Sequence, residues 1–240
     1  EVVKLARKLS LPIIPYGGGS GVCGGTVPLR GGITIDLKRM DALLSVNRDE
    51  MLCDVQSGIN GERFERELER RGYTFGNFPS SIYCSTVGGW LATRAGGHFA
   101  TGPTHIDDLT EAISAVTPTG RWTSRRLPAS GAGPSPDRLL LGSEGTLGVL
   151  TDAWVRIQRR PTARGQATLR FPSEAAALAW VRALVQDGLQ PANCRLLDPV
   201  EAARLAALGY VQGEAGATPT VDPKEYVRII RLQLHANAAI

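Results

Sequence analysis

The first nine residues carry apolar side chains at helical spacing. Val2, Leu5, Ala6 and Leu9 share one stripe, which predicts an amphipathic helix. With no helix cap and no initiator methionine ahead of it, the chain is expected to begin inside a domain. Residues 11–15, 33–37 and 51–55 are short apolar runs bounded by glycine, proline or polar residues, and they predict strands. Residues 61–71 predict a helix with Phe64 and Leu68 on its apolar face, stopped by Gly72. Residues 86–95 predict another, entered through Ser85. Residues 109–116 alternate as a strand does and turn at Pro118-Thr119-Gly120. A loop is expected over 131–136, then Leu139-Leu140-Leu141 and a strand over 153–158.

Arg159-Arg160-Pro161 is the expected domain boundary. Beyond it the pattern predicts a strand over 167–171, a helix over 173–186 and a strand over 194–197. Ala177, Trp180, Val181 and Leu184 recur at helical spacing and read as a core face. Residues 209–223 drift to Gly, Ala, Thr and Pro and predict a loop or disorder. Residues 224–240 predict a lone helix. The expected domains are 1–160 and 161–208, with an unplaced segment at 209–240.

Composition narrows the function. A chain of 240 residues, 42% hydrophobic, can bury one large core or two modest ones. The formal net charge is only +4 and no Lys/Arg run interleaves with aromatics, so no nucleic-acid partner is expected. A mild positive balance suits an anionic cofactor or a small-molecule substrate with an anionic head. Cys23, Cys53, Cys84 and Cys194 form no close pair and the three histidines are scattered, so no metal site is expected. The cysteines read as reduced core thiols of a cytoplasmic protein. No apolar run reaches membrane-spanning length, and no signal peptide opens the chain.

Glycine carries the candidate chemistry. Gly19-Ser20-Gly21-Val22-Cys23-Gly24 fits G-x-G-x-x-G, but a dinucleotide fingerprint needs a helix straight after it. Here two further glycine pairs and Pro28 follow, so the match is read as accidental. Gly17 to Gly21 can instead turn several N–H groups toward one anion, or form an ordinary wide turn. Ser80 to Ser85 cluster hydroxyls ahead of a helix start, and Gly88-Gly89 is expected to leave the first turn open to an anion. Gly142 to Gly148 surround Glu144 and suit close packing on a flat ring or ribose.

Together, Pro15-Tyr16-Gly17-Gly18-Gly19-Ser20-Gly21, Ser85-Thr86-Val87-Gly88-Gly89 and Gly142-Ser143-Glu144-Gly145-Thr146-Leu147-Gly148-Val149 resemble the FAD-linked oxidase superfamily of the vanillyl-alcohol oxidase type. The resemblance covers roughly residues 1–197 and implies a two-lobed PCMH-type FAD-binding domain followed by the start of a ferredoxin-like α+β cap domain. Gly88-Gly89-Trp90-Leu91-Ala92-Thr93-Arg94-Ala95, Gly133-Pro134 and Cys194-Arg195-Leu196-Leu197-Asp198 are similar to the alkylglycerone-phosphate synthase branch, flavoenzymes of ether-lipid synthesis. By motif, the resemblance assigns Pro15, Tyr16, Gly17, Gly18, Gly19, Ser20 and Gly21 to the FAD diphosphate. It adds Pro79, Ser80, Ser81, Ile82, Tyr83, Cys84 and Ser85, then Thr93, Arg94, Ala95 and Gly96, then Glu144, Gly145, Thr146, Leu147, Gly148, Val149 and Leu150. Arg195 matches an arginine on the substrate phosphate; its alternative is an interdomain or surface salt bridge. Arg94 has a structural alternative within its helix.

Some positions depart from the branch. An arginine expected shortly before the Gly-Pro is absent from residues 127–131, and Pro103 stands where a tyrosine is expected. Neither His98 nor His105 lies in a flavin-linking motif, so FAD is expected to bind without a covalent bond. The resemblance implies an enzyme whose catalytic residues lie beyond Ile240, cytoplasmic, or peroxisomal if it is a eukaryotic synthase, with a homodimer allowed. The alternatives are a hydroxy-acid or alcohol oxidase of the glycolate or D-lactate type, and a truncated flavin-binding module without turnover.

Overall fold

In a computed structural model, residues 1–97, 105–127, 135–207 and 228–236 are described. The loop expected over 209–223 and the departures at residues 128–131 and Pro103 lie outside them. The chain divides into two compact units, Glu1–Arg160 and Pro161–Ile240.

The first unit opens with helix α1 (Val2–Leu9) and strands β1 (Ile13–Tyr16) and β2 (Ile33–Asp36), paired in parallel with Tyr16 opposite Asp36. Of the expected apolar stripe on α1 only Ala6 is buried; Val2, Leu5 and Leu9 are 44–54% exposed. No helix follows the accidental G-x-G-x-x-G match, and the chain from Gly21 to β2 runs through turns. Next come β3 (Leu43–Asn47), β4 (Leu52–Gln56), helix α2 (Gly61–Glu69), β5 (Tyr73–Thr74), helix α3 (Val87–Thr93) and helix α4 (Ile106–Leu109). Strands β6 (Thr110–Thr117), β7 (Gly120–Thr123), β8 (Val149–Arg156) and β9 (Gln158–Arg159) complete the unit.

Five of these strands form an antiparallel sheet in the order β3-β4-β8-β6-β7. Alternation along each strand sends Cys53, Val55, Ile113, Ala115, Ala153 and Val155 to one face. On that face lie Phe64 and Leu68 of α2 and Val87, Trp90 and Leu91 of α3, in one core cluster. Trp90 stacks on Phe75, with ring centroids 6.1 Å apart. Burying an aromatic or aliphatic side chain of this kind contributes about 1.5–3 kcal/mol. This core therefore fixes α2 and α3, the helices that carry the site.

The second unit contains β10 (Ala163–Phe171), helix α5 (Glu174–Gln186), β11 (Asn193–Leu197), helix α6 (Pro199–Ala207) and β12 (Arg228–Ala236). Ser173 caps α5, its hydroxyl accepting from Ala176 N at 3.2 Å. Ala177 and Leu184 pack with Trp180, Val181, Leu169, Phe171, Cys194 and Leu196. The lone helix expected over 224–240 is overturned. Residues 228–236 form a strand, central in the sheet order β10-β12-β11. Its Leu232-Gln233-Leu234-His235 alternation and paired isoleucines suit a central strand.

The cysteines divide differently from the expected core set. Cys53 is fully buried, Cys194 is intermediate, and Cys23 and Cys84 are exposed. Among the described residues, no helix is long and apolar enough to cross a membrane.

Candidate functional site

The parallel pair β1/β2 delivers Tyr16 to the start of the first glycine segment. Gly18 packs directly on the backbone of the second segment: a Cβ there would overlap the Cys84 carbonyl oxygen and lie 2.9 Å from the Cys84 carbonyl carbon. Gly17 sits in the same way against the Thr86 hydroxyl. Gly19 has φ +67°, open to glycine, and lies beneath the Tyr16 hydroxyl. None of the backbone N–H groups from Gly17 to Gly21 has a hydrogen-bond partner among the described residues. Gly19, Ser20 and Gly21 are exposed. A row of unpaired donors in a glycine turn is a concavity for an anion.

The second segment is held from below by the start of α2. Glu62 N donates to Ile82 O at 3.2 Å, Asn60 Nδ2 to Tyr83 O at 2.9 Å and Gly61 N to Ser85 O at 3.0 Å. The same Asn60 caps α2, its side-chain oxygen accepting from Arg63 N. Trp90 Nε1 donates to Ser85 Oγ, and Ser85 Oγ donates to Ser81 O, each at 2.7 Å. These bonds turn the carbonyls of Ile82, Tyr83 and Ser85 into the protein, while Tyr83 and Cys84 stay exposed.

The expected open first turn of α3 is overturned. Val87 N donates to Ile59 O at 3.1 Å, Gly88 N to Ser57 O at 2.7 Å and Gly89 N to Thr86 Oγ1 at 3.3 Å. A helix start whose donors are taken has nothing left for an anion. Gly88 is glycine because a Cβ would lie 2.7 Å from Ser57 O.

The third segment closes the other end of α3. Gly142 N donates to Leu91 O at 3.0 Å and Glu144 N to Ala92 O at 2.9 Å, which caps carbonyls that the helix leaves free. Its glycines pack closely on neighbouring protein. Gly145 lies on the Pro15 ring, with a Cβ placed 3.0 Å from Pro15 Cγ, and Gly142 lies under the Arg94 side chain. Arg94 and Glu144, at φ +50° each, are two of the four non-glycine residues with positive φ among the described residues. Arg94 Nε stands 3.4 Å from Asp107 Oδ1, an ion pair that joins the end of α3 to α4.

One half-buried carboxylate supports this assembly from α2. Glu65 Oε1 accepts from Phe75 N and Gly76 N at 3.0 and 3.1 Å, and Oε2 accepts from the Thr74 hydroxyl at 2.8 Å. Burial pushes its pKa above the usual glutamate value, against the pull of those donors. Burial likewise pushes the Cys53 thiol up, with Asp54 and Glu65 adding to it. Sequence reasoning gave no role to Asn60, Glu65, Trp90 or Asp107. Only Asn60 carried a usable signal, as a capping residue ahead of an amphipathic run.

In the second unit, Cys194 and Leu196 pack against α5 while Arg195 is half exposed. The Arg195 guanidinium donates to Glu201 of α6, whose own N–H donates to Asp198 Oδ1 at 2.8 Å.

A family described as FAD binding domain matches residues 1–124, which include the first two segments and α3. The chain belongs to this FAD binding domain family. It is 35% identical over 234 residues to the alkyldihydroxyacetonephosphate synthase of Dictyostelium discoideum, covering 96% of this chain and 38% of that protein. It is 32% identical over 203 residues to the mitochondrial D-lactate dehydrogenase [cytochrome] of Arabidopsis thaliana, covering 84% and 35%. A solved alkyldihydroxyacetonephosphate synthase structure superposes with a TM-score of 0.83 at 30% identity, covering 98% of this chain and 45% of that one. The chain thus spans less than half the length of these relatives. The α+β class and the likeness to the synthases stand, and FAD is the cofactor of this FAD binding domain. The residues present fit it. The unpaired donors of Gly17–Gly21 suit a diphosphate; the exposed Cys84 lies against that loop, and Gly145 lies on Pro15 just ahead of it.

Proposed function

We propose that this chain is the flavin-holding part of an FAD-dependent enzyme of the alkyldihydroxyacetonephosphate synthase type, acting on a small molecule with an anionic head. One observation carries this reading: three glycine-rich segments, far apart in sequence, meet around α3 with the Gly17–Gly21 donors unpaired. In this reading Gly17 to Gly21 hold the diphosphate, and Pro79 to Ser85, Thr93 to Gly96 and Glu144 to Leu150 line the rest of the cofactor. When bound, FAD supplies the electron-accepting and adduct-forming chemistry, and the protein positions it. Arg195 holds the anionic head of the substrate through its forked guanidinium, displacing Glu201. No covalent link to flavin is proposed. The likeness to D-lactate dehydrogenase supports a second reading, oxidation of a hydroxy acid.

The test has two parts. Purified protein should show the absorbance of oxidised flavin, and acid precipitation should release that colour to the supernatant. Cys84 sits on the proposed cofactor segment and is exposed, so bound FAD should slow its alkylation while leaving Cys23 less affected. Equal alkylation of Cys84 with and without FAD would place the cofactor elsewhere. Assay of the full-length parent for formation of an alkyldihydroxyacetonephosphate, against oxidation of D-lactate, separates the two readings.

A further inference from the structure

The Gly17–Gly21 loop offers an anion only neutral donors, whereas a diphosphate is a dianion. A cation belongs nearby, and the structure holds one that no motif marks. Tyr16 folds back over its own loop, so that a Cβ on Gly19 would lie 2.8 Å from Tyr16 Cζ. Lys38 Nζ stands 5.3 Å from the centroid of that same ring. Its position is set by Asp36, the residue opposite Tyr16 in the parallel pair β1/β2. Lys38 N donates to Asp36 Oδ1 at 3.0 Å, and Lys38 Nζ lies 3.3 Å from Asp36 Oδ2. A run of contacts therefore links Asp36, Lys38, Tyr16 and Gly19.

Resting on the reading of this loop as the diphosphate site, we propose that Lys38 is a further cofactor-binding residue, its ammonium held over Tyr16 to supply the positive charge that the glycine donors lack. The stacking keeps the ammonium within roughly one Debye length (~8–10 Å) of the loop. Without Lys38, the nearest formal charge to Tyr16 in this run is the Asp36 carboxylate, which repels a phosphate. Lys38 cancels that repulsion and stays half exposed, free to turn toward an arriving anion. The ring of Tyr16 serves as the platform, because an aromatic face attracts an ammonium at this distance.

The test is FAD titration of the full chain, stripped of flavin, at several salt concentrations. Lys38→Met should raise the Kd for FAD about five- to tenfold at low salt, and the gap should close toward about twofold near 1 M salt. Lys38→Arg should restore most of the affinity. An unchanged Kd at low salt, or a loss of equal size at every salt concentration, overturns the proposal. Gly18→Val belongs in the same series. If that variant binds FAD as the wild type does, the loop is not the diphosphate site, and the role of Lys38 falls with it. If it loses FAD while Lys38→Met does not, only the role of Lys38 falls.

Discussion

Gly18 has no room for a side chain, because the Cys84 carbonyl already fills the space where its Cβ would be. Its smallness therefore serves the meeting of two backbones. Gly18→Ala should lower stability by about 1–3 kcal/mol, as overpacking does, and weaken FAD binding in the fraction that folds. Thermal melting beside FAD titration checks this; a melting temperature equal to that of the wild type would show that the segments part easily. Gly88 shows the same principle against Ser57, and Gly145 against Pro15. These glycines were visible in the sequence because glycine clusters are chemically distinctive. What each one touches was not, since Cys84, Ser57 and Pro15 are named only by the folded chain. Lys38 was silent for a related reason: nothing local to it says that Tyr16 will lie beneath.

Among the elements, α2 is the platform of the site. Its first turn receives the second segment, and its Glu65 ties down residues 74–76 at the approach to that segment. Glu65 titrates higher in the folded chain than in the unfolded one, so over that window the folded chain binds more protons. Its contribution to stability therefore falls as pH rises through the window above the usual glutamate value. Glu65→Gln keeps an acceptor and does not titrate. Melting of the variant relative to wild type should improve as pH rises from about 4 to about 7. A difference that stays constant over that range, or runs the other way, would mean that the donors outweigh burial. The helix α2 and the strands β4, β6 and α5's neighbour β11 were legible from periodicity and from bounded apolar runs. Strand β3 was not, because Leu43-Leu44-Ser45-Val46 alternates poorly and a bulge interrupts its pairing. Strand β12 was read as a helix because its paired isoleucines break alternation and its partners lie far upstream, on β11 and, beyond it, on β10.

At the scale of the whole molecule, the two units answer different questions. The first contains the proposed cofactor segments, and the second contains Arg195. In the full-length parent, Arg195→Lys keeps the charge but loses the fork, so substrate use should fall by about tenfold or more with FAD content unchanged. Normal turnover with melting lowered by several degrees would make the Arg195–Glu201 pair a structural clamp. The first unit also has a temporal consequence. Helix α3 has only seven residues, and its ends are satisfied by Ser57 and Ile59 on one side and by Gly142 and Glu144 on the other. A helix this short is not stable by itself. As the chain leaves the ribosome, α3 emerges about fifty residues before the partners that close its C-terminal end. Until those partners arrive, the proposed flavin cradle is incomplete, which makes cofactor capture in this reading a late event in the birth of the protein.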